Sequence, residues 1–96
     1  MSSGYVIANV EVTNPAQYEE YKKWSSAAMQ AHGAEVCTRG GKVEVLEGDW
    51  SPSRVVILKF PSFEKAKAFY ESPEYLKARD ARAGAAVMRM IAVEGV

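Results

Sequence analysis

Two stretches of the chain, Val55-Val56-Ile57-Leu58 and Met90-Ile91-Ala92-Val93, are apolar at every position. Successive residues of a β-strand point to opposite faces of its sheet, so strands of this kind are apolar front and back. Such a sheet needs cover on both sides. A chain of 96 residues forms one small domain, residues 1–96, that shields only about 60–65% of the surface its unfolded form exposes. Whether it can supply both covers depends on how many elements remain.

Tyr5 to Val12 alternates as a strand, with Val6, Ala8, Val10 and Val12 on one face and Tyr5, Ile7, Asn9 and Glu11 on the other. Asn14-Pro15 opens a helix: Asn14 caps the free N–H groups, Pro15 suits the first helical position, and Gln17 stands at the capping-box offset. Tyr18, Tyr21, Trp24 or Ser25, and Ala28 recur at helical spacing, and the helix is predicted to end near His32, before Gly33. Ala34 to Arg39 and Lys42 to Leu46 both read as extended, with Gly40-Gly41 between them as a bulge in one long strand or as a hairpin turn; the stronger turn composition of residues 47–53 favours the bulge. Arg54 to Phe60 is the clearest strand. Ser62 caps a helix from Phe63 to Glu71, Ser72-Pro73 starts another toward Ala83, and Val87 to Glu94 closes the chain as a strand.

Strand, helix, strand, strand, helical pair, strand is the order of the α+β, ferredoxin-like βαββαβ sandwich: a four-stranded antiparallel sheet with its helices on one face. No element is then left for the other face. A second copy, sheet against sheet, is the predicted cover, and the protein is expected to be a homodimer. The competing arrangement is a lone twisted sheet with a few apolar residues in solvent. Twelve basic and twelve acidic residues balance to zero, which disfavours nucleic acid and anionic membrane surfaces as partners. Apolar runs are far shorter than the roughly 20 residues of a membrane span. Met1-Ser2-Ser3-Gly4 has no basic segment and does not read as a secretory signal. With Cys37 and His32 each alone of their kind, neither a disulfide nor a typical zinc site is expected, and the cytoplasm is the expected location.

Arg39-Gly40-Gly41, Leu46-Glu47-Gly48-Asp49-Trp50, Arg54 before an apolar strand, Phe60-Pro61-Ser62, Phe69-Tyr70, Ser72-Pro73-Glu74-Tyr75, Arg82 and Val93-Glu94-Gly95 together resemble the family called domain of unknown function 1330. The resemblance runs over nearly the whole chain. It implies the dimeric α/β barrel superfamily, in which two ferredoxin-like subunits pack their sheets together and each leaves a pocket between sheet and helices. It implies no particular reaction. Related barrels include haem-degrading and quinone-forming monooxygenases, and Asn9 resembles the strand-one asparagine of the haem-degrading group. No histidine occupies the second helical region, where that group places its iron ligand, so haem is disfavoured and no cofactor is expected.

Several side chains invite chemistry. Arg39, Glu47 and Arg54 lie along the central strand pair, where two guanidinium groups near one carboxylate could orient a small carboxylate or enolate; a surface ion-pair network is the competing reading. Arg82 could join either. Tyr70 and Tyr75 flank the Ser72-Pro73 interruption and could donate to a ligand oxygen, or could serve packing alone. His32 is the default general base by its ordinary pKa, yet beside Gly33 it also suits the dipole of a helix end. Cys37 reads as a small apolar residue rather than a nucleophile. Asn9, a polar group among apolar neighbours, needs a partner, and Trp50 is either a pocket lid or a dimer anchor. Two functions follow from these residues. One is a homodimer binding a small anionic or aromatic organic molecule, with monooxygenase- or isomerase-like activity that needs no cofactor; the other is a dimeric module without catalysis.

Overall fold

A computed structural model describes residues 2–96; Met1, the first residue of the segment read above for a signal, lies outside them. Four strands and three helices follow in the order β1 (Gly4–Val12), α1 (Pro15–Ala31), β2 (Glu35–Arg39), β3 (Val55–Phe60), α2 (Phe63–Glu71), α3 (Pro73–Ala81) and β4 (Ala86–Glu94). The sheet runs β2-β3-β1-β4, with every neighbouring pair antiparallel. This is the ferredoxin-like arrangement.

Each helix begins where a side-chain oxygen accepts a free backbone N–H. Asn14 Oδ1 accepts from Gln17 N at 3.2 Å, Ser62 Oγ from Lys65 N at 3.2 Å, and Ser72 Oγ from Tyr75 N at 3.1 Å. The expected reciprocal capping box at Asn14 does not close. Gln17 Nε2 donates instead to the carbonyls of Ala81 and Ala83, at 3.0 and 2.7 Å, which ties the start of α1 to the end of α3. Ser72 closes α2 as well as opening α3, since its hydroxyl donates to the Phe69 carbonyl at 2.7 Å.

Val6, Ala8 and Val10 of β1, with Leu58 and Phe60 of β3, point to the helices and bury against Tyr18, Tyr21, Phe69 and Tyr75. Gly4 is required where β1 passes under the start of α2, because a Cβ there would overlap the backbone of Ser62. Facing the other way, Ile57, Ile7 and Ile91 stand side by side across β3, β1 and β4. Val87 and Val93 share their face and are, like Ile91, well exposed. Lys59, Glu11 and Arg89 lie toward its margins. The chain is a slab 16 Å thick, and among the described residues no helix or strand lies over this apolar face.

The segment Lys42–Leu46 departs from expectation. β2 stops at Arg39, Gly40 takes φ +74°, and its N–H makes the last bond to β3, to the Val55 carbonyl at 3.1 Å. Beyond that bend, residues 41–46 form no strand pairing among the described residues and are exposed. The bulge in β2 lies at Cys37, between Val36 and Thr38, rather than at Gly40-Gly41. A bulge is fixed by which residues pair, and composition alone placed it at the glycines.

Ser72→Ala is expected to cost about 1–2 kcal/mol, because it removes a buried hydrogen bond to the Phe69 carbonyl, which keeps only the Ser72 N–H, and the cap of α3 together. Thermal unfolding should fall by about 5–15 °C, and further than for Ser62→Ala, which loses one exposed cap; equal losses would contradict this reading of Ser72.

Candidate functional site

The helix spacing that buries Tyr21 on α1 and the serine cap that starts α3 bring two phenols together. Tyr21 Oη and Tyr75 Oη lie 2.7 Å apart inside the protein, and Tyr75 Oη donates to Met90 Sδ at 3.8 Å. With its single proton turned to Met90, Tyr75 accepts from Tyr21, giving a chain Tyr21 to Tyr75 to Met90. The thioether is a weak acceptor, so an oxygen placed beside Met90 would capture the Tyr75 hydroxyl readily.

Burial is the main cause that holds both hydroxyls above the ordinary phenol range, and for Tyr21 the adjacent Tyr75 adds to it. For Tyr75 the hydrogen bond from Tyr21 and the charge of Arg82 act in the opposite direction. Both therefore stay protonated at neutral pH, as donors rather than bases.

Arg82 follows α3 as its capping residue, and its guanidinium stands 5.9 Å from the Tyr21 ring centre. Its Nε is buried and has no hydrogen-bond partner. A buried guanidine N–H without an acceptor is costly, and marks a place where an anion would be welcome. Arg82 as a residue lines a cavity of about 470 Å³ between β4 and α2, walled by Val6, Met88, Met90 and Ala92 from the sheet and by Ala66, Lys67, Tyr70 and Glu71 from the helix. The Arg79 guanidinium covers the Tyr70 ring at 4.4 Å and fixes that wall.

Of the residues singled out in the sequence, Arg82 and Tyr70 line this cavity, and Tyr75 reaches its wall through Met90. Arg39 and Arg54 border a narrow crevice on the inner side of the sheet, which also touches Tyr21, Tyr75 and Met90. Arg39 donates to Ser26 Oγ at 3.2 Å, while Arg54 Nε is buried without a partner and its guanidinium packs on Gly40. Glu47 lies on the exposed 41–50 segment; among the described residues it forms an ion pair with neither arginine. His32 stands apart from the cavity, with Nε2 2.6 Å from Glu74 Oε1 and its ring edge-on to Phe69. Asn9 and Trp50 meet on the opposite face of the sheet, beside Glu11 and Arg89, around a shallow depression of about 190 Å³. Among the described residues no cluster of three metal-ligating side chains occurs and no helix is long and apolar enough to cross a membrane.

Tyr21, Lys67, Glu71 and the methionines escaped the reading of the sequence. Tyr21 carried a signal nonetheless: on the buried face of a helix, a phenol hydroxyl must find a partner.

A two-layer ferredoxin-like protein with an arginine-headed cleft between sheet and helices is the class that fold and site define. The chain belongs to the family described as Domain of unknown function (DUF1330), which matches residues 3–96. Among solved structures it is similar to a protein of unknown function from Rhodopseudomonas palustris, at 21% identity over 99% of this chain and 83% of that one, with a TM-score of 0.75. It is similar also to SnoaB, a cofactor-independent oxygenase from Streptomyces nogalater, at 14% identity over 97% of this chain and 92% of that one, TM-score 0.65. A dimeric ferredoxin-like protein of unknown function from Thermobifida fusca shares 15% identity over 96% of this chain and 92% of its own, TM-score 0.59. At these identities the likeness is one of fold. No curated protein matches the chain by sequence.

The buried phenols set an alkaline limit. Unfolded tyrosines ionise near pH 10, whereas Tyr21 and Tyr75 in the fold hold their protons to higher pH. Above about pH 10 the unfolded state therefore binds fewer protons than the native one, and stability falls as pH rises. Denaturant titrations should give a level stability from pH 7 to about 9 and a decline above about 10. Tyr21→Phe should make that decline shallower; an unchanged slope would show that the buried phenol is not its cause.

Proposed function

We propose that the protein is a homodimer, closed sheet against sheet, and that each copy binds a small anionic organic molecule, aromatic in its body, in the cleft between β4 and α2. Arg82, a lining residue of that cleft whose buried Nε has no partner among the described residues, is the observation that carries the ligand reading. Arg82 and Lys67 supply positive charge, Tyr75 supplies a hydroxyl in place of its bond to Met90, and Tyr70 with the methionines offers a flat, polarisable bed for a ring. Arg54 and Arg39 extend the positive lining inward along the crevice. His32, engaged with Glu74, joins α1 to α3 in this reading.

Donors that stay protonated and a guanidinium beside them favour negative charge developing on a ligand oxygen. An enolate or phenolate is the species such a site stabilises. That SnoaB, of the same fold, is described as a cofactor-independent oxygenase favours oxygenation or isomerisation of such an anion without a cofactor as the reaction class. The dimer is supported by the row Ile57-Ile7-Ile91 with charged groups toward its rim, the composition of an interface core, and by the dimeric relative from Thermobifida fusca. The lone cysteine, exposed on β2, suits the reducing cytoplasm.

Thermal unfolding with benzoate, hydroxybenzoates and naphthoates tests the ligand reading. At about a hundredfold excess over Kd, a fitting ligand adds about 2.7 kcal/mol to wild-type stability. Arg82→Met should abolish the shift, and Tyr75→Phe should shrink it. Stabilisation of wild type and Arg82→Met alike would overturn the assignment of the site to Arg82, and no stabilisation by any of these compounds would favour a dimeric module without a ligand.

A further inference from the structure

Arg54 repeats, in the crevice, what sets Arg82 apart in the cleft. Each has a buried Nε with no hydrogen-bond partner among the described residues. Neither takes part in an ion pair among those residues, nor does Arg39 beside Arg54. Lys67 and Glu71 complete the charged lining of the cleft, so cleft and crevice together set four cations, Lys67, Arg82, Arg39 and Arg54, against one carboxylate. A single negative charge on a ligand leaves most of that excess unmatched, and a cation drawn away from water without a counter-charge is costly.

The crevice has a free volume of about 20 Å³, room for about one water. Its wall with the cleft is adaptable. Val6, Met88 and Met90 line both spaces, and the two methionines are half-buried, unbranched and able to turn. Tyr75 also lines the crevice, and its hydroxyl is tied to Met90 Sδ. A carboxylate accepts a hydrogen bond far better than a thioether, so the exchange that releases Met90 leaves Tyr75 bonded to the ligand. Arg54 is held in readiness, its guanidinium lying where a Cβ on Gly40 would overlap it, at the bend that ends β2.

Resting on the ligand reading above, we infer that the ligand is a dianion: an aromatic molecule with two acidic groups, one held in the cleft by Arg82 and the other reaching Arg54 past a displaced Met90. Met90 is then a gate that the second acidic group opens, and Arg54 is the residue that selects dianions over monoanions. Two guanidinium groups fixed by the fold also select a spacing. An acidic group that stops short of Arg54 leaves that Nε orphaned, and a neutral group in its place brings no counter-charge.

Calorimetric titration with benzene- and naphthalenedicarboxylates, each against the carbamoyl acid of the same shape, tests the inference. In wild type one positional isomer should bind about tenfold or more tighter than its carbamoyl counterpart and than the other isomers of its ring. In Arg54→Met, with the fold checked by circular dichroism, that ratio should fall to about one. Met29 lines the crevice and not the cleft, so its methyl resonance in wild type reports the inner site without any substitution: the preferred dicarboxylate should shift it and the carbamoyl acid should not. Dicarboxylates no tighter than their counterparts, all isomers tightened alike by general attraction, or a Met29 signal indifferent to both would overturn the dianion and leave the single-anion cleft standing. Failure of every mono- and dicarboxylate to bind would overturn both.

Discussion

A sheet apolar on both faces, with helices enough for only one, governs this protein. The inner face is satisfied within the chain: Val6, Ala8, Val10, Leu58 and Phe60 bury under three helices. The outer face carries three isoleucines in register, and among the described residues no helix covers it. Burial of apolar surface is the main favourable term in folding, and in a domain this small each uncovered strand face forgoes a share of it. The open β4 edge and the unpaired 41–46 segment are consequences of the same shortage.

The cleft arises from the way the inner face is filled. Aromatic side chains from α1, α2 and α3 converge on the sheet, with Phe69 and Tyr75 ring centres 4.7 Å apart and Phe60 and Phe69 5.1 Å apart. Rings of this size pack the centre of the sheet tightly and leave the margin near β4 to methionines, whose flexible side chains fill irregular space. Polar atoms are drawn in with the rings. The hydroxyls of Tyr21 and Tyr75 satisfy one another, but the Nε of Arg82 finds no acceptor. Packing thus sets a neutral donor and a fixed cation at one end of a space of small-molecule size, which is the physical basis of the proposed ligand chemistry.

Much of the architecture was legible in the chain because it depends on local rules. The alternation in Tyr5 to Val12 specifies a strand and its faces; Asn14, Ser62 and Ser72 with their following residues specify three helix starts, each confirmed by a hydrogen bond from the N–H three residues on. What resisted reading depends on partners distant in sequence. Gln17 looked like half of a capping box, yet its amide serves carbonyls more than sixty residues away. The bulge belongs to Cys37 because pairing with Leu58 and Ile57 puts it there. Arg39, Glu47 and Arg54 look adjacent if β2 continues through Leu46; once Gly40 turns the chain outward, the two arginines still share a crevice but Glu47 is drawn away from them. The meeting of Tyr21 with Tyr75 follows from how α1 rests on α3, a matter of packing that no local pattern records.

The proposal that a second copy covers the outer face is tested most directly by nuclear Overhauser effects between copies, in a sample mixing isotope-labelled and unlabelled protein. The methyl groups of Ile7, Ile57 and Ile91 should show contacts to protons of the unlabelled copy at micromolar to millimolar concentration. Methyl groups in contact only with their own chain and with water would contradict the account.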